Sequence, residues 1–169
     1  NTGLKNDTTR NMIANVKWHL GGKDSEIWTT PEGGLASHFY TYERGDIVYP
    51  GRPTIWTGQI GLLYLSDYGF ATSGSISVTR QSCLNIELYH YLNYKDCCEN
   101  NWINMNVAQW TLNLASTGSS YIVMVVSSAP RASTWRSNSI EIVKPVIYLK
   151  NTTTIYGGMG SISDPFMLS

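Results

Sequence analysis

The side chains best suited to acid–base chemistry are three histidines, and they lie far apart in the chain. His19, His38 and His90 have neither metal-ligand spacing nor a catalytic motif around them. Ser37 precedes His38, but the chain has no GxSxG elbow that would present this serine as a nucleophile. His19 falls near the end of a predicted first helix, where a cation suits the helix dipole. Structural roles therefore explain the histidines.

Acidic residues offer a second route to catalysis, because glycoside hydrolysis uses a pair of carboxylates. Glu43, Asp46 and Glu141 are candidates, but their spacing does not distinguish them from ordinary surface acids. Asp67, in the segment SDYG, is explained as a helix N-cap. The chain has neither a Walker phosphate loop nor a GxGxxG motif. We therefore predict that it is not an enzyme and that it uses no cofactor, with a cell-wall glycan hydrolase as an alternative.

The three cysteines, Cys83, Cys97 and Cys98, predict a disulfide rather than a metal site. They form no CxxC pair and have no neighbouring histidine, so no metal is expected. A bridge between Cys83 and Cys97 contributes about 3 kcal/mol in the chain-entropy model, and adjacent cysteines rarely bond to each other. We favour this bridge, with Cys98 buried or free. Three reduced cysteines in a cytosolic protein are the alternative, and whether Cys97 or Cys98 pairs with Cys83 stays open.

Tryptophans and tyrosines carry the strongest indication of a binding site. Aromatic faces stack on sugar rings, and neutral Asn, Ser and Thr side chains supply directional hydrogen bonds. Trp56 lies in a polar segment next to glycine, and Trp135 lies between Arg131 and Arg136, a composition typical of binding hot spots. Core packing is predicted for the other four tryptophans. These are Trp18, Trp28, Trp102 and Trp110.

The charge balance excludes several classes of protein. Twelve basic residues offset twelve acidic ones, and charged residues make up only 14% of the 169 residues. Without a basic field, neither nucleic acid nor an anionic lipid surface is an expected partner. The longest apolar run, over residues 121–126, is far shorter than the ~20 residues that a spanning helix needs, so no direct membrane insertion by this segment is expected. A neutral, polar surface is typical of an extracellular protein.

Periodicity predicts the elements that position these residues. A first helix is expected from a cap at Thr8 or Thr9 to Gly21 and Gly22, with one apolar stripe. This stripe consists of Met12, Ile13, Val16 and Leu20. Similar sequence patterns predict a short helix over 68–72 and either a strand or a helical turn over 35–43. Strands are predicted over 59–65, 110–113, 120–127, 140–149 and 165–168. We therefore predict one domain over 1–169 with an α+β fold, which consists of an N-terminal helix and short antiparallel strands with long loops.

Six segments together resemble one family. They are KWHLGG (17–22), YERGDIVYPGRPTIWTGQIGLLYLSDYGFAT (42–72), CENNW (98–102), QWTL (109–112), VKPVIYL (143–149) and GGMGSISDPFML (157–168). In this order they resemble the extracellular domain of surface or prepilin-like proteins from gut-dwelling Firmicutes, most of them uncharacterised. The resemblance implies an extracellular or cell-surface location and a pairing of Cys83 with Cys97, from which the extra Cys98 departs.

The C-terminal half is also similar, more distantly, to C-type-lectin-like folds of the sulfatase-modifying and retroelement-variable branches. The lectin calcium motifs and the copper-binding cysteines of the formylglycine enzymes are missing, so neither activity is implied. The resemblance places residues 113–141 in exposed, ligand-facing loops. Tyr121, Arg131, Trp135 and Arg136 fall in that range.

These observations predict a non-enzymatic recognition or adhesion module displayed on a cell surface. Its partner would be a glycan or a host or bacterial surface protein, bound through loop aromatics. The predicted ligand-binding residues are Trp56, Tyr121, Arg131, Trp135 and Arg136. The main alternative is a structural, pilin-like subunit of a surface filament, in which the aromatics pack the domain against its neighbours.

Overall fold

The computed structural model describes residues 7–21, 34–48, 51–103, 107–114, 121–126, 129–136, 138–161 and 163–169, with the backbone alone for 121–126. Its α-helices are α1 (Asp7–Met12), α2 (Ala36–Glu43), α3 (Leu65–Phe70), α4 (Arg80–Leu84) and α5 (Lys95–Cys98), and a 3₁₀ helix spans Leu88–Asn93. Its strands are β1 (Val16–His19), β2 (Ile55–Gly58), β3 (Ile60–Leu62), β4 (Gln109–Leu114), β5 (Tyr121–Val126), β6 (Arg131–Arg136), β7 (Pro145–Ile147), β8 (Ile155–Gly157) and β9 (Met167–Leu168). These strands pair only antiparallel with one another, which confirms the α+β class with short antiparallel strands.

The first helix is much shorter than its apolar spacing predicts, and that prediction was wrong beyond Met12. From Val16 the chain forms β1, which pairs with β2 so that Trp18 lies opposite Trp56. Strand alternation turns Trp18 inward, where it is 1% exposed, and leaves Lys17 in solvent. Burial of one indole outweighs a helical stripe of smaller side chains.

Trp18 joins the β1–β2 ribbon to the β3–β7 ribbon. Its indole Nε1 donates a 3.0 Å hydrogen bond to the carbonyl of Gly58, and its ring centroid lies 5.3 Å from that of Tyr148. The ring covers Gly61, where a Cβ atom would lie 2.5 Å from Cε3 of the indole. Glycine at this position therefore allows the close approach of the two ribbons.

Helix α3 is the centre of the core, and its N-terminus is capped by side chains from distant segments. The buried carboxylate of Glu43, at the end of α2, accepts a 2.9 Å hydrogen bond from the backbone N–H of Ser66. The Asn113 side chain, on β4, accepts a 2.9 Å hydrogen bond from the backbone N–H of Leu65. The orphan amide donors that every helix start presents are thus satisfied inside the protein. Asp67 lies in the first turn rather than at the predicted N-cap, and it accepts from the backbone N–H of Tyr64 at 3.2 Å.

The longest strands form one three-stranded sheet in the order β4-β5-β6. The apolar run of β5 takes the central place, with β6 in continuous register from Tyr121 opposite Arg136 to Val126 opposite Arg131. The expectation of loops over 113–141 is therefore wrong for much of this range. A run of β-branched and aromatic residues favours a strand, and a central strand recruits neighbours on both edges.

The predicted disulfide between Cys83 and Cys97 is confirmed, with a Cα–Cα distance of 5.5 Å, and Cys98 is buried and not part of this bridge. The bridge ties α4 to α5, and both of its cysteines belong to the hydrophobic core. Beside it, the Thr72 hydroxyl donates a 2.9 Å hydrogen bond to the carbonyl of Cys97. This hydrogen bond joins α5 to the residues that follow α3.

None of the helices in the described ranges is long and apolar enough to span a lipid bilayer.

Candidate functional site

Three of the five predicted ligand-binding residues lie together on β6, on a strand and not in a loop as predicted. Arg131 and Trp135 are four residues apart on one strand, so they share a face, whereas Arg136 points to the opposite face. Ala132, on the Arg136 side of the strand, is 1% exposed and belongs to the core. The Arg131–Trp135 face is therefore the outer one, and Trp135 is 38% exposed there.

The other two predicted residues do not join this face as a single site. Trp56 lies on β2, which belongs to a different sheet, and it is 46% exposed. Its ring lies over Gly58, where a Cβ atom would come within 2.2 Å of the indole. Tyr121 is described by its backbone, which pairs with Arg136 at the start of β5.

A shallow groove runs along β6 and is lined by residues from both faces of the strand. It has a volume of about 270 Å³ and runs beside Tyr89 from Arg131 to Thr134. Trp135 is not among the described residues that line it. The sequence-predicted residues thus give an exposed face with little depth.

A larger cleft lies elsewhere, between α3, the turn after α5 and the start of β7. Its volume is about 570 Å³, within the range of ligand sites, and its described lining is mainly apolar. Leu63, Phe70, Ile103 and Val146 form much of this apolar lining. We refer to this feature as the α3–β7 cleft.

Two polar side-chain atoms in the lining of the α3–β7 cleft have no hydrogen-bond partner among the described residues. Gln109, at the start of β4, is 1% exposed, and its Oε1 atom is shielded from solvent and unpaired. Lys144, just before β7, has a shielded and unpaired Nζ atom. Burial lowers the pKa of the Lys144 ammonium. Buried polar atoms without partners are costly, and they are expected where a ligand completes the hydrogen bonding.

Asp67 supplies a carboxylate to the same cleft. It is half-buried, and burial raises its pKa, although the hydrogen bond from the Tyr64 backbone N–H acts in the opposite direction. Tyr148 also lines the cleft, and burial raises the pKa of its phenol. Asp67 is the one carboxylate among the described lining residues.

Trp102 lines the cleft while leaving most of its side chain in water. It is 79% exposed, so the prediction that it packs in the core was wrong. Its backbone N–H donates to the carbonyl of Ala71 at 3.4 Å, and the preceding Asn101 side chain donates to the carbonyl of Tyr68 at 2.6 Å. The turn that holds Trp102 is therefore fixed to α3, and the indole is presented at the cleft rather than buried.

The remaining tryptophan predictions have mixed outcomes. Trp18 is buried as predicted, and Trp110 is half-buried on β4. Trp28 lies outside the described residues. Exposure of Trp102 was not predicted because its segment, CENNW, gives no local indication of which side faces the core.

The described residues contain no group of three or more His, Cys, Asp or Glu side chains that could hold a metal ion. The α3–β7 cleft offers an exposed indole, an apolar wall, an amide oxygen, an ammonium group and one carboxylate. Comparisons with protein-family models, with curated proteins and with solved structures find no match to this chain.

Proposed function

We propose that this chain is a recognition module of C-type-lectin-like architecture, displayed on a cell surface, that binds a glycan in the α3–β7 cleft. One observation carries the proposal: a largely exposed Trp102 borders a cleft in which the Gln109 amide oxygen is buried without a partner. An indole face stacks on the C–H face of a sugar ring, and a sugar hydroxyl donates to an amide oxygen.

The lining of this cleft favours binding over hydrolysis. A glycosidase of the usual kind places two carboxylates on either side of the scissile bond. Among the described lining residues, Asp67 alone carries a carboxylate. The proposal therefore assigns recognition to the cleft and no bond cleavage.

The test is a glycan array probed with the labelled protein, followed by titration of the best-binding oligosaccharide. Loss of one stacking ring costs about 1 kcal/mol, so Trp102→Ala should weaken binding about fivefold or more. Trp135→Ala is the matched control, since Trp135 is also an exposed tryptophan but lies on β6 outside the cleft. Binding lost through Trp135→Ala and kept in Trp102→Ala would transfer the site to β6. A blank array contradicts glycan recognition altogether.

A structural, pilin-like subunit is the second candidate, and the C-terminal hairpin favours it. Strands β8 and β9 pair with each other, yet Ile155, Tyr156, Phe166 and Met167 are each about half exposed or more. A two-stranded hairpin is marginal unless another surface covers it. Electron microscopy of the intact protein tests this candidate, because a shaft subunit forms filaments and a displayed module does not.

A further inference from the structure

Lys144 and Gln109 place one cation and one acceptor in the lining of the same cleft, and neither has a partner among the described residues. Nζ of Lys144 can only donate hydrogen bonds, whereas Oε1 of Gln109 can only accept them. A ligand that satisfies both atoms must offer an acceptor and a hydrogen-bond donor, and an anionic acceptor gives the ammonium the stronger, charge-assisted hydrogen bond. These two unpaired atoms restrict the class of possible ligands more than the shape of the cleft does.

The described ion pairs leave Lys144 without a carboxylate. Those pairs join Arg10 to Asp7, Arg44 to Glu43 and His90 to Glu87. A shielded ammonium that lacks a counter-ion is unfavourable, and an arriving anion relieves that cost. The lysine side chain has a flexible stem, so its ammonium can turn toward a ligand in the cleft.

We propose that the α3–β7 cleft selects carboxylated sugars, with the ligand carboxylate on Lys144, a ring hydroxyl donating to Gln109 and the sugar ring stacked on Trp102. This inference rests on the proposed glycan recognition and specifies its substrate class. Uronic acids and sialic acids share the required chemistry. A fatty acid also carries a carboxylate, but it has no hydroxyl to donate to the Gln109 amide.

The first measurement uses the unmodified protein and matched ligands that differ in charge. Trigalacturonate is compared with its methyl ester, and sialyllactose with lactose, by calorimetric or fluorescence titration. A charge-assisted hydrogen bond in a shielded site should make at least one acidic member bind tenfold or more tightly than its neutral counterpart. Whichever source of carboxylate is preferred identifies the sugar class, and sodium decanoate tests whether a carboxylate without a sugar ring is enough.

The second measurement assigns that preference to a residue. Lys144→Met should bring the acidic and neutral members to equal affinity, whereas Lys144→Arg should keep the acidic preference. Gln109→Met should weaken acidic and neutral members alike, because both donate hydroxyls to it. Tyr94→Ala, at an exposed aromatic residue outside the described lining of the cleft, should leave the ratio unchanged. Circular dichroism and thermal unfolding confirm that each variant is folded.

The outcomes separate this inference from the proposed function. Equal binding of acidic and neutral members that still depends on Trp102 overturns the acidic selectivity and leaves glycan recognition standing. An acidic preference that survives in Lys144→Met assigns the carboxylate to another cation and also overturns the inference. If decanoate binds as tightly as the acidic sugars, a carboxylate without a sugar ring is enough, and the inference that the cleft selects sugars is overturned. Absence of binding by every glycan overturns both proposals together.

Discussion

Nδ2 of Asn113 donates a 2.8 Å hydrogen bond to Oε1 of Glu43, although the two residues are 70 positions apart in the chain. Both side chains are buried, at 4% and 0% exposure. Asn113 lies on β4 and Glu43 at the end of α2, and both side chains also accept hydrogen bonds from the first backbone amides of α3. The three elements are therefore joined at the start of α3. Asp67, Phe70 and Ala71 of the α3–β7 cleft follow within the next few residues, so the network fixes one wall of the site.

Asn113→Ala should destabilise the protein by about 2 kcal/mol, because it leaves the Leu65 N–H and one acceptor site of Glu43 without their partner. Chemical denaturation monitored by tryptophan fluorescence measures the change. Asn93→Ala is the control, since Asn93 is exposed at the end of the 3₁₀ helix. Equal effects of the two substitutions would contradict the capping role.

The carboxyl group of Glu43 should make stability depend on pH. Burial raises its pKa above the usual 4.5, in spite of hydrogen bonds from Ser66 and Asn113 that act in the opposite direction. A raised pKa means that the folded state binds the proton more tightly than the unfolded state. The stabilisation is therefore fully present below about pH 4.5 and is lost as the pH rises through the folded-state pKa.

Glu43→Gln isolates that contribution, because the amide is uncharged at every pH. The free energy of unfolding of the natural protein minus that of Glu43→Gln should fall as the pH is raised from 4 to 8. A difference for Glu43→Gln that rises with pH would show that the hydrogen bonds outweigh burial.

Local patterns predicted much of the fold where burial and propensity agree. The β-branched run of β5 and the strand predicted over 110–113 have local patterns that match their tertiary places. Over 35–43 the pattern left a strand or a helical turn open, and the structure forms a helix over 36–43. The prediction that the first helix continues through Val16 was wrong, because the partner strand that buries Trp18 lies about forty residues further along the chain. A helical stripe and a strand alternation coexist in that segment, and only the partner decides between them.

The candidate site was harder to predict than the fold. Its described lining comes from separate parts of the chain, 63–71, 102–103, Gln109 and 144–148, and none of them has a motif. Trp135, between two arginines, has the local sequence more typical of a binding site, yet it is Trp102 that borders the large cleft. Tertiary packing leaves the side chains of Gln109 and Lys144 without partners among the described residues, and residue spacing along the chain does not predict this.

The disulfide predicts the number of reactive thiols in the unfolded protein. Cys83 and Cys97 are bridged, so denatured but unreduced protein should expose one thiol per chain, that of Cys98. Titration with a thiol reagent in strong denaturant counts it, and three thiols would contradict the bridge. Reduction should also cost about 3 kcal/mol of stability, since the bridge closes a short loop.

Truncation of Trp18 should destabilise the protein strongly, whereas truncation of Trp102 should hardly change its stability. Trp18→Ala removes a side chain that is 1% exposed and should cost about 3–5 kcal/mol. Trp102→Ala removes one that is 79% exposed and should change stability by no more than about 0.5 kcal/mol. Denaturation curves of the two variants measure this contrast. A large loss for Trp102→Ala would mean that the indole supports the fold, and its use in ligand binding would need separate proof.

The contact between Gly61 and Trp18 should be energetically coupled. A methyl group at position 61 would lie 2.5 Å from the six-membered ring of the indole, and the opposing β7 strand leaves β3 little room to move away. Gly61→Ala should therefore cost about 1–3 kcal/mol through overpacking. Trp18→Phe removes the crowding ring atoms, so in that background the same glycine substitution should cost less. A double-mutant cycle on unfolding free energies measures the coupling, and additive effects would show that the methyl group is accommodated by another movement.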